Sequence, residues 1–264
     1  MVDICGLFLP IFKNERTIQL NLREYGWNDT LAEELQRRGA TLDQVGRVIA
    51  DFGEQMKIIT EAGEVTAGKA VKKLMNEPLT PAVGDWVVLY SEKDLDMPYI
   101  TAVFPRRTKF SRAAAGLEVK EQVVAANIDT VFLVQSLNRD FNLRRLERYL
   151  IIGWESGALP VVVLTKADCC DDIAEHIDKV REVAPGVDVY AVSAASGLGM
   201  EDLRRYLQPG VTVALLGSSG VGKSTLVNSL AGRGVLKTQE IRENDSRGRH
   251  TTTHREIVLL PEGG

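Results

Sequence analysis

The sequence predicts an α/β chain in two parts: a small OB-fold β-barrel, then a mostly parallel sheet covered by helices. Three observations predict it. Between Val45 and Pro105, short runs rich in β-branched and aromatic residues are broken by Gly, Asp and Pro. From Asp129 onward, unbroken apolar runs alternate with runs of helical spacing. A glycine-rich turn at Gly217–Ser224 then separates an apolar run from a helix. The expected division is 1–115 for an N-terminal arm and barrel, and 116–264 for the second domain.

The elements follow in order. "ICGLFLPIF" near the N-terminus is apolar but too short to span a bilayer, and it lacks the pattern of a signal peptide, so it reads as a strand or buried arm. A short helix is expected from about Tyr25 to Gln36. "GRVIADFG", "MKIITEAGEVTAG", "GDWVVLY" and "YITAVF" supply the barrel strands. Barrels of this kind often bind RNA or DNA, but the fold alone does not settle function. "FPRRTKFSRAAAGLEVKEQ" links the parts. "TVFLVQSL", "PVVVLTK", "DVYAVSA" and "VTVALLG" read as parallel strands; "LRRLERYLIIGWES", "DIAEHIDKVREVA" and "MEDLRRYL" read as the helices between them.

The 264 residues suffice for two ordinary domains, and 44% hydrophobic with 26% charged residues is a soluble globular balance. A formal net charge of −4 gives no global case for nucleic-acid binding, so any RNA contact comes from local basic patches. Cys5, Cys169 and Cys170 have no spacing that suits zinc and read as reduced thiols of a cytosolic protein.

"ALLGSSGVGKSTLVN" carries the sharpest signal. Gly217, four residues, then Gly222, Lys223 and Ser224 fit a phosphate loop. The glycines let backbone N–H groups of Gly217, Ser218, Ser219, Gly220, Val221 and Gly222 converge on phosphate oxygens. Lys223 would reach the β- and γ-phosphates, Ser224 would hold Mg²⁺, and the helix opening at Lys223–Thr225 aims its positive end at the same anion.

The base is chosen elsewhere. In "TKAD", Asp168 can accept from guanine N1–H and N2–H₂, donors that adenine does not pair on that edge, while Lys166 lays its aliphatic stem over the ring. The alternative is that Asp168 merely caps the helix in "CCDDIAEHI". In "VSAASGLG", Ser193 and Ala194 sit where a backbone N–H can donate to guanine O6; the alternative is an ordinary loop.

Base motif, then Ser-Ala loop, then phosphate loop reverses the usual order. It resembles the circularly permuted GTPases. With the barrel, "GDWV" and the tail "GRHTTTHRE", the chain resembles the ribosome small-subunit-dependent GTPase A (RsgA/YjeQ) family from about Leu22 to Gly264. The resemblance implies an OB-fold followed by a permuted P-loop GTPase domain, with GTP hydrolysed to GDP and phosphate. It implies a role in late maturation of the 30S subunit, with 16S rRNA as partner, no DNA or membrane partner, a monomeric chain and a cytoplasmic location. Two rival classes are an RNA-binding assembly protein with a structural nucleotide site, and an ATP-using P-loop enzyme.

Two departures stand out. Thr165 occupies the usual Asn position of the base motif, so one hydroxyl replaces an amide. The family's Asp-x-Pro-Gly motif and its zinc module do not follow "IVLLPEGG", which suggests an N-terminal portion of a longer protein with zinc only in the remainder. By the same resemblance, Thr252, with Thr253 as the alternative, would contact Mg²⁺, and His250 would orient the attacking water. Arg247, Arg249, His254 and Arg255 crowd that loop, and a plain RNA-phosphate contact is the competing role for the segment. A second basic cluster, Arg106, Arg107, Lys109 and Arg112 with Phe104 and Phe110, suits RNA backbone and base contact, or is a solvated linker. Trp86 and Trp154 are expected in the core.

Overall fold

The computed structural model describes residues 20–69, 80–92, 96–113, 121–138, 140–232, 234 and 256–261. They form two compact units. One is drawn from 20–106, 112–126 and 256–257, and the other from 107–111, 127–234 and 258–261.

The first unit begins with a 3-10 turn at Leu22–Tyr25 and helix α1, Asp29–Arg38. Asn28 caps α1 by accepting from the Leu31 N–H, and Gly39 closes it in the left-handed conformation. The strands β1 (Val45–Asp51), β2 (Gln55–Thr60), β3 (Gly63–Gly68), β4 (Trp86–Tyr90) and β5 (Tyr99–Val103) form a closed barrel in the order β1-β2-β3-β5-β4. Closure removes the exposed sheet edges, and this is the OB-type barrel that the short β-branched runs predict. Its interior is filled by Val48, Met56, Ile58, Val87, Leu89, Ile100 and Val103.

A second apolar cluster joins Leu22, Trp27 and Leu35 to Trp86 and Phe104, with the Trp27 ring edge-on to Trp86 at 5.0 Å and to Phe104 at 5.8 Å. Trp86 is therefore core. Phe104 is fully buried and cannot stack on a base, which corrects its place in the basic cluster.

Strands β6 (Lys109–Ala113) and β7 (Glu121–Ala126) pair as a two-stranded sheet. The second unit is built on β8 (Thr130–Ser136), α2 (Leu143–Ser156), β9 (Leu159–Thr165), α3 (Ile173–Val183), β10 (Asp188–Ala191), the single-turn α4 (Met200–Leu203), β11 (Val213–Leu216) and α5 (Lys223–Leu230). Its four-stranded sheet runs β10-β9-β8-β11, every pair parallel.

β8 is buried along its whole length because both its faces are covered. Phe132 and Val134 pack with Leu203, Tyr206 and Leu226 on one side. On the other side, Gly153 of α2 approaches so closely that an added Cβ would lie 3.2 Å from Val131. Trp154, one residue on, is 52% exposed and not core: its position on α2 faces away from the strands that Gly153 touches.

Candidate functional site

The candidate site lies at the carboxyl ends of β8, β9, β10 and β11, where a parallel sheet gathers its ligands. β11 leads into the turn 217–222, and α5 begins at Lys223. Gly217 is required by space: a Cβ there would sit 2.5 Å from the Val134 carbonyl oxygen of β8. Gly222 has φ +99°, a left-handed conformation that a side chain disfavours. The first turn of α5 receives no side-chain cap, so its N–H groups remain available to an anion.

Lys223 Nζ donates to the Gly217 and Ser218 carbonyls at 2.8 and 2.7 Å, across the mouth of the loop. Burial holds its ammonium below the ordinary lysine range. Ser224 and Thr225 follow in the same turn, Ser219 and Gly220 are exposed at the loop crest, and Val221 is anchored in the core.

The base loop leaves β9 at Thr165. The Thr165 hydroxyl lies against the Val221 carbonyl of the phosphate loop and 3.2 Å from the Gln135 carbonyl of β8. One hydroxyl hydrogen serves only one of them at a time. Lys166 adopts a left-handed φ of 59° and extends Nζ to the Gly220 carbonyl at 3.2 Å. Its stem thus runs from the base loop to the phosphate loop.

Asp168 lies in a 3-10 turn, Ala167–Cys169, and does not cap α3; Asp172 does, accepting from the Glu175 N–H. The helix-cap alternative for Asp168 is thereby removed. The Ser193 hydroxyl, and then the Cys169 thiol, hold the Asp168 carboxyl below the usual carboxylate range. Asp168 correspondingly pushes the Cys169 thiol up.

Ser193 is buried after β10, and its Oγ accepts from the Ser196 N–H, which curls the following turn. Ala194 opens that turn, half-buried. Asp168, Ser193 and the phosphate loop are thereby brought to one end of one sheet.

Other expected residues fare differently. Arg106 forms a bidentate pair with the buried Asp85, at 2.8 and 2.7 Å, and also donates to the Thr80 carbonyl. Only 11% of its side chain is exposed, so it holds the barrel together and is withdrawn as an RNA contact. Arg107 pairs with Asp129 at 2.8 Å but is 58% exposed. Arg112 reaches Gln122 at 3.0 Å and is exposed, as is Lys109. Arg247, Arg249, His250, Thr252, Thr253, His254 and Arg255 lie outside the described residues.

The loop between β8 and α2 escaped sequence reasoning altogether. Its Asp140 accepts a hydrogen bond from Ser218. The available signal was "NRDFN", a polar run directly after a buried strand of the same sheet.

Strand order and loop order together define a class. The base loop on β9 and the Ser-Ala loop after β10 precede the phosphate loop in the chain yet lie at the same end of the sheet, with the base loop bonded to it. This is a circularly permuted P-loop GTPase, a GTP hydrolase with a guanine-nucleotide site. Residues 103–264 match the RsgA GTPase family, and the chain belongs to that family.

It is 44% identical over 247 residues to the "Small ribosomal subunit biogenesis GTPase RsgA 2" of Lactiplantibacillus plantarum, covering 92% of this chain and 69% of that one. It is 46% identical over 244 residues to the RsgA 1 protein of Listeria innocua, covering 92% and 68%. Among solved structures, YjeQ from Thermotoga maritima superimposes with a TM-score of 0.60 at 24% identity, over 84% of this chain and 72% of that one. YloQ, described as a circularly permuted GTPase, does so with a TM-score of 0.52 at 22% identity, over 71% and 63%.

Proposed function

We propose that this protein is a GTP-driven switch that assists late maturation of the small ribosomal subunit and leaves it on hydrolysis. The observation that carries the nucleotide half is the direct bonding of base loop to phosphate loop, Thr165 to Val221 and Lys166 to Gly220. A guanine on Asp168 and phosphates on the glycine loop are read by one connected body. The names of the relatives support the ribosomal half.

In this reading 1–115 is an RNA-binding arm and barrel, and 116–264 is the GTPase domain. Asp168 accepts from guanine N1–H and N2–H₂, and the Ala194 N–H donates to O6. Backbone N–H groups of the loop and Lys223 hold the β- and γ-phosphates, where negative charge builds during transfer. Ser224 and Thr252, or Thr253 in its place, would hold Mg²⁺, which supplies charge neutralisation there. The short uncapped turn at Ser224 fits an anion with its cation. His250 orients the water in line with the leaving oxygen. Arg107, Lys109, Arg112, Arg247 and Arg249 make salt-dependent contacts to 16S rRNA phosphates. The chain acts as a monomer in the cytoplasm.

The test is phosphate release at fixed GTP, with and without purified small subunits, across a salt series. Small subunits should raise the rate of the full-length protein far more than large subunits or free RNA, and the gain should shrink as salt rises. His250→Ala should lose the gain and keep GDP affinity. Equal rates with and without subunits would overturn the ribosomal half and leave a GTPase with another partner.

A further inference from the structure

We propose that Asp140 is a positioning residue of the phosphate loop, acting through Ser218, with Arg145 as the cation that permits a carboxylate there. Asp140 Oδ2 accepts from the Ser218 hydroxyl at 3.0 Å and forms an ion pair with the Arg145 guanidinium at 2.9 Å. Arg145 also donates to the Asp140 backbone carbonyl. Ser218 is the residue directly after Gly217, so its orientation sets the entry into the turn whose N–H groups must converge on phosphate.

Hydrogen bonds hold both ends of the loop that carries the carboxylate. The buried Gln135 side chain brackets the far end of the β8–α2 loop, donating to the Asn142 carbonyl and accepting from the Asn142 N–H, both at 2.9 Å. Asn138 Oδ1 accepts from Ser136 Oγ at 2.8 Å and from the Asp140 N–H at 3.0 Å. The Leu137 N–H donates to the Thr165 carbonyl at 2.8 Å, tying the near end to the base loop. Arg145 rises from the first turn of α2, whose cap Asn142 accepts from its N–H at 2.9 Å.

Charge explains the pair. A lone carboxylate one hydrogen bond from a phosphate loop would repel the nucleotide, and more so the more phosphates it carries. Arg145, its own side chain 20% exposed, sets a positive charge against it. The Arg145 Nε is buried without a partner among the described residues, and the guanidinium is tied to Asp140 through Nη2. Ordering the loop in advance lowers the cost of ordering it on the ligand.

This inference rests on the nucleotide reading above, and the experiment separates the two. Affinities for GDP and for a non-hydrolysable GTP analogue are measured on the full chain with magnesium, for Ser218→Ala, Asp140→Ala, Asp140→Asn, Arg145→Ala and the Ser218→Ala/Asp140→Ala pair. Ser218→Ala and Asp140→Ala should each weaken GDP binding by about three- to tenfold, and the double variant should lose no more than either alone. Asp140→Asn keeps an acceptor for the Ser218 hydroxyl and should restore most of the affinity. Arg145→Ala should weaken the GTP analogue more than GDP, a phosphate-graded loss that a purely structural role would not produce. Additive losses, or an Asp140→Ala variant equal to the parent, would overturn the positioning role while parental GDP binding kept the nucleotide reading intact. A parent chain that binds no guanine nucleotide would take down both.

Discussion

The hydroxyl of Thr165, the last residue of β9, is hydrogen-bonded to the backbone carbonyl of Val221 in the phosphate loop. In the function proposed above, this bond joins base recognition to phosphate recognition. Threonine at the usual Asn position does not cut the tether; it makes it with one hydrogen instead of two. Thr165→Val should leave the Val221 carbonyl unsatisfied, cost about 1–3 kcal/mol and lower GDP affinity. Thr165→Ser should retain both. Thermal melting and GDP titration decide it, and a valine variant matching the parent in both would remove the tether's importance.

Asp168→Asn should turn preference from guanine toward xanthine nucleotides. An amide donates where the carboxylate accepted, and the mismatch with guanine N2–H₂ should cost about 1–3 kcal/mol, roughly tenfold in affinity. Competition between GDP and XDP measures it. Because Ser193 helps hold Asp168 ionised, Ser193→Ala should move the acid limit of GDP binding to higher pH. Unchanged GDP affinity in Asp168→Asn would return this turn to a plain loop.

Lys223→Ala should abolish hydrolysis and weaken GTP binding while leaving the fold intact, since among the described residues Lys223 is bonded only to carbonyls of its own loop. Its ammonium is held below the ordinary lysine range by burial. The free protein therefore loses this proton earlier as pH rises, and a bound triphosphate pulls it back. GTP affinity should fall on the alkaline side before an ordinary lysine would titrate, with proton uptake on binding. Calorimetry in two buffers of different ionisation heat reads that uptake, and none at alkaline pH would contradict the assignment.

Arg106→Ala should destabilise the barrel by about 3–5 kcal/mol, because it removes the bidentate partner of the buried Asp85 carboxylate. Arg112→Ala, at an exposed position, should change stability by less than about 0.5 kcal/mol. Urea midpoints of the two variants should differ in that order, and equal midpoints would return Arg106 to the surface cluster.

The sequence by itself determined the strands of the barrel and of the parallel sheet, the helices between them and the order of the three motifs, but β6 and the start of β7 lie in a run it reads as a linker. Periodicity and glycine placement are local, and a strand–GSSGVGKS–helix run has one economical conformation. It therefore singled out Gly217 and Lys223 from spacing, and Asp168 from its place at the end of an apolar strand, with a helix cap as the alternative. Tertiary structure decided what each polar side chain is bonded to. Arg106, Arg107, Lys109 and Arg112 are alike as letters, yet only Arg106 meets a buried carboxylate, because the barrel brings Asp85 to it across 21 residues. Trp86 and Trp154 both sit in apolar patterns, but only one of them faces a core. Asp140 and Ser218 lie 78 residues apart and meet because β8 and β11 are neighbours in the sheet. Burial and partnership come from contacts distant in the chain, and no window of sequence contains them.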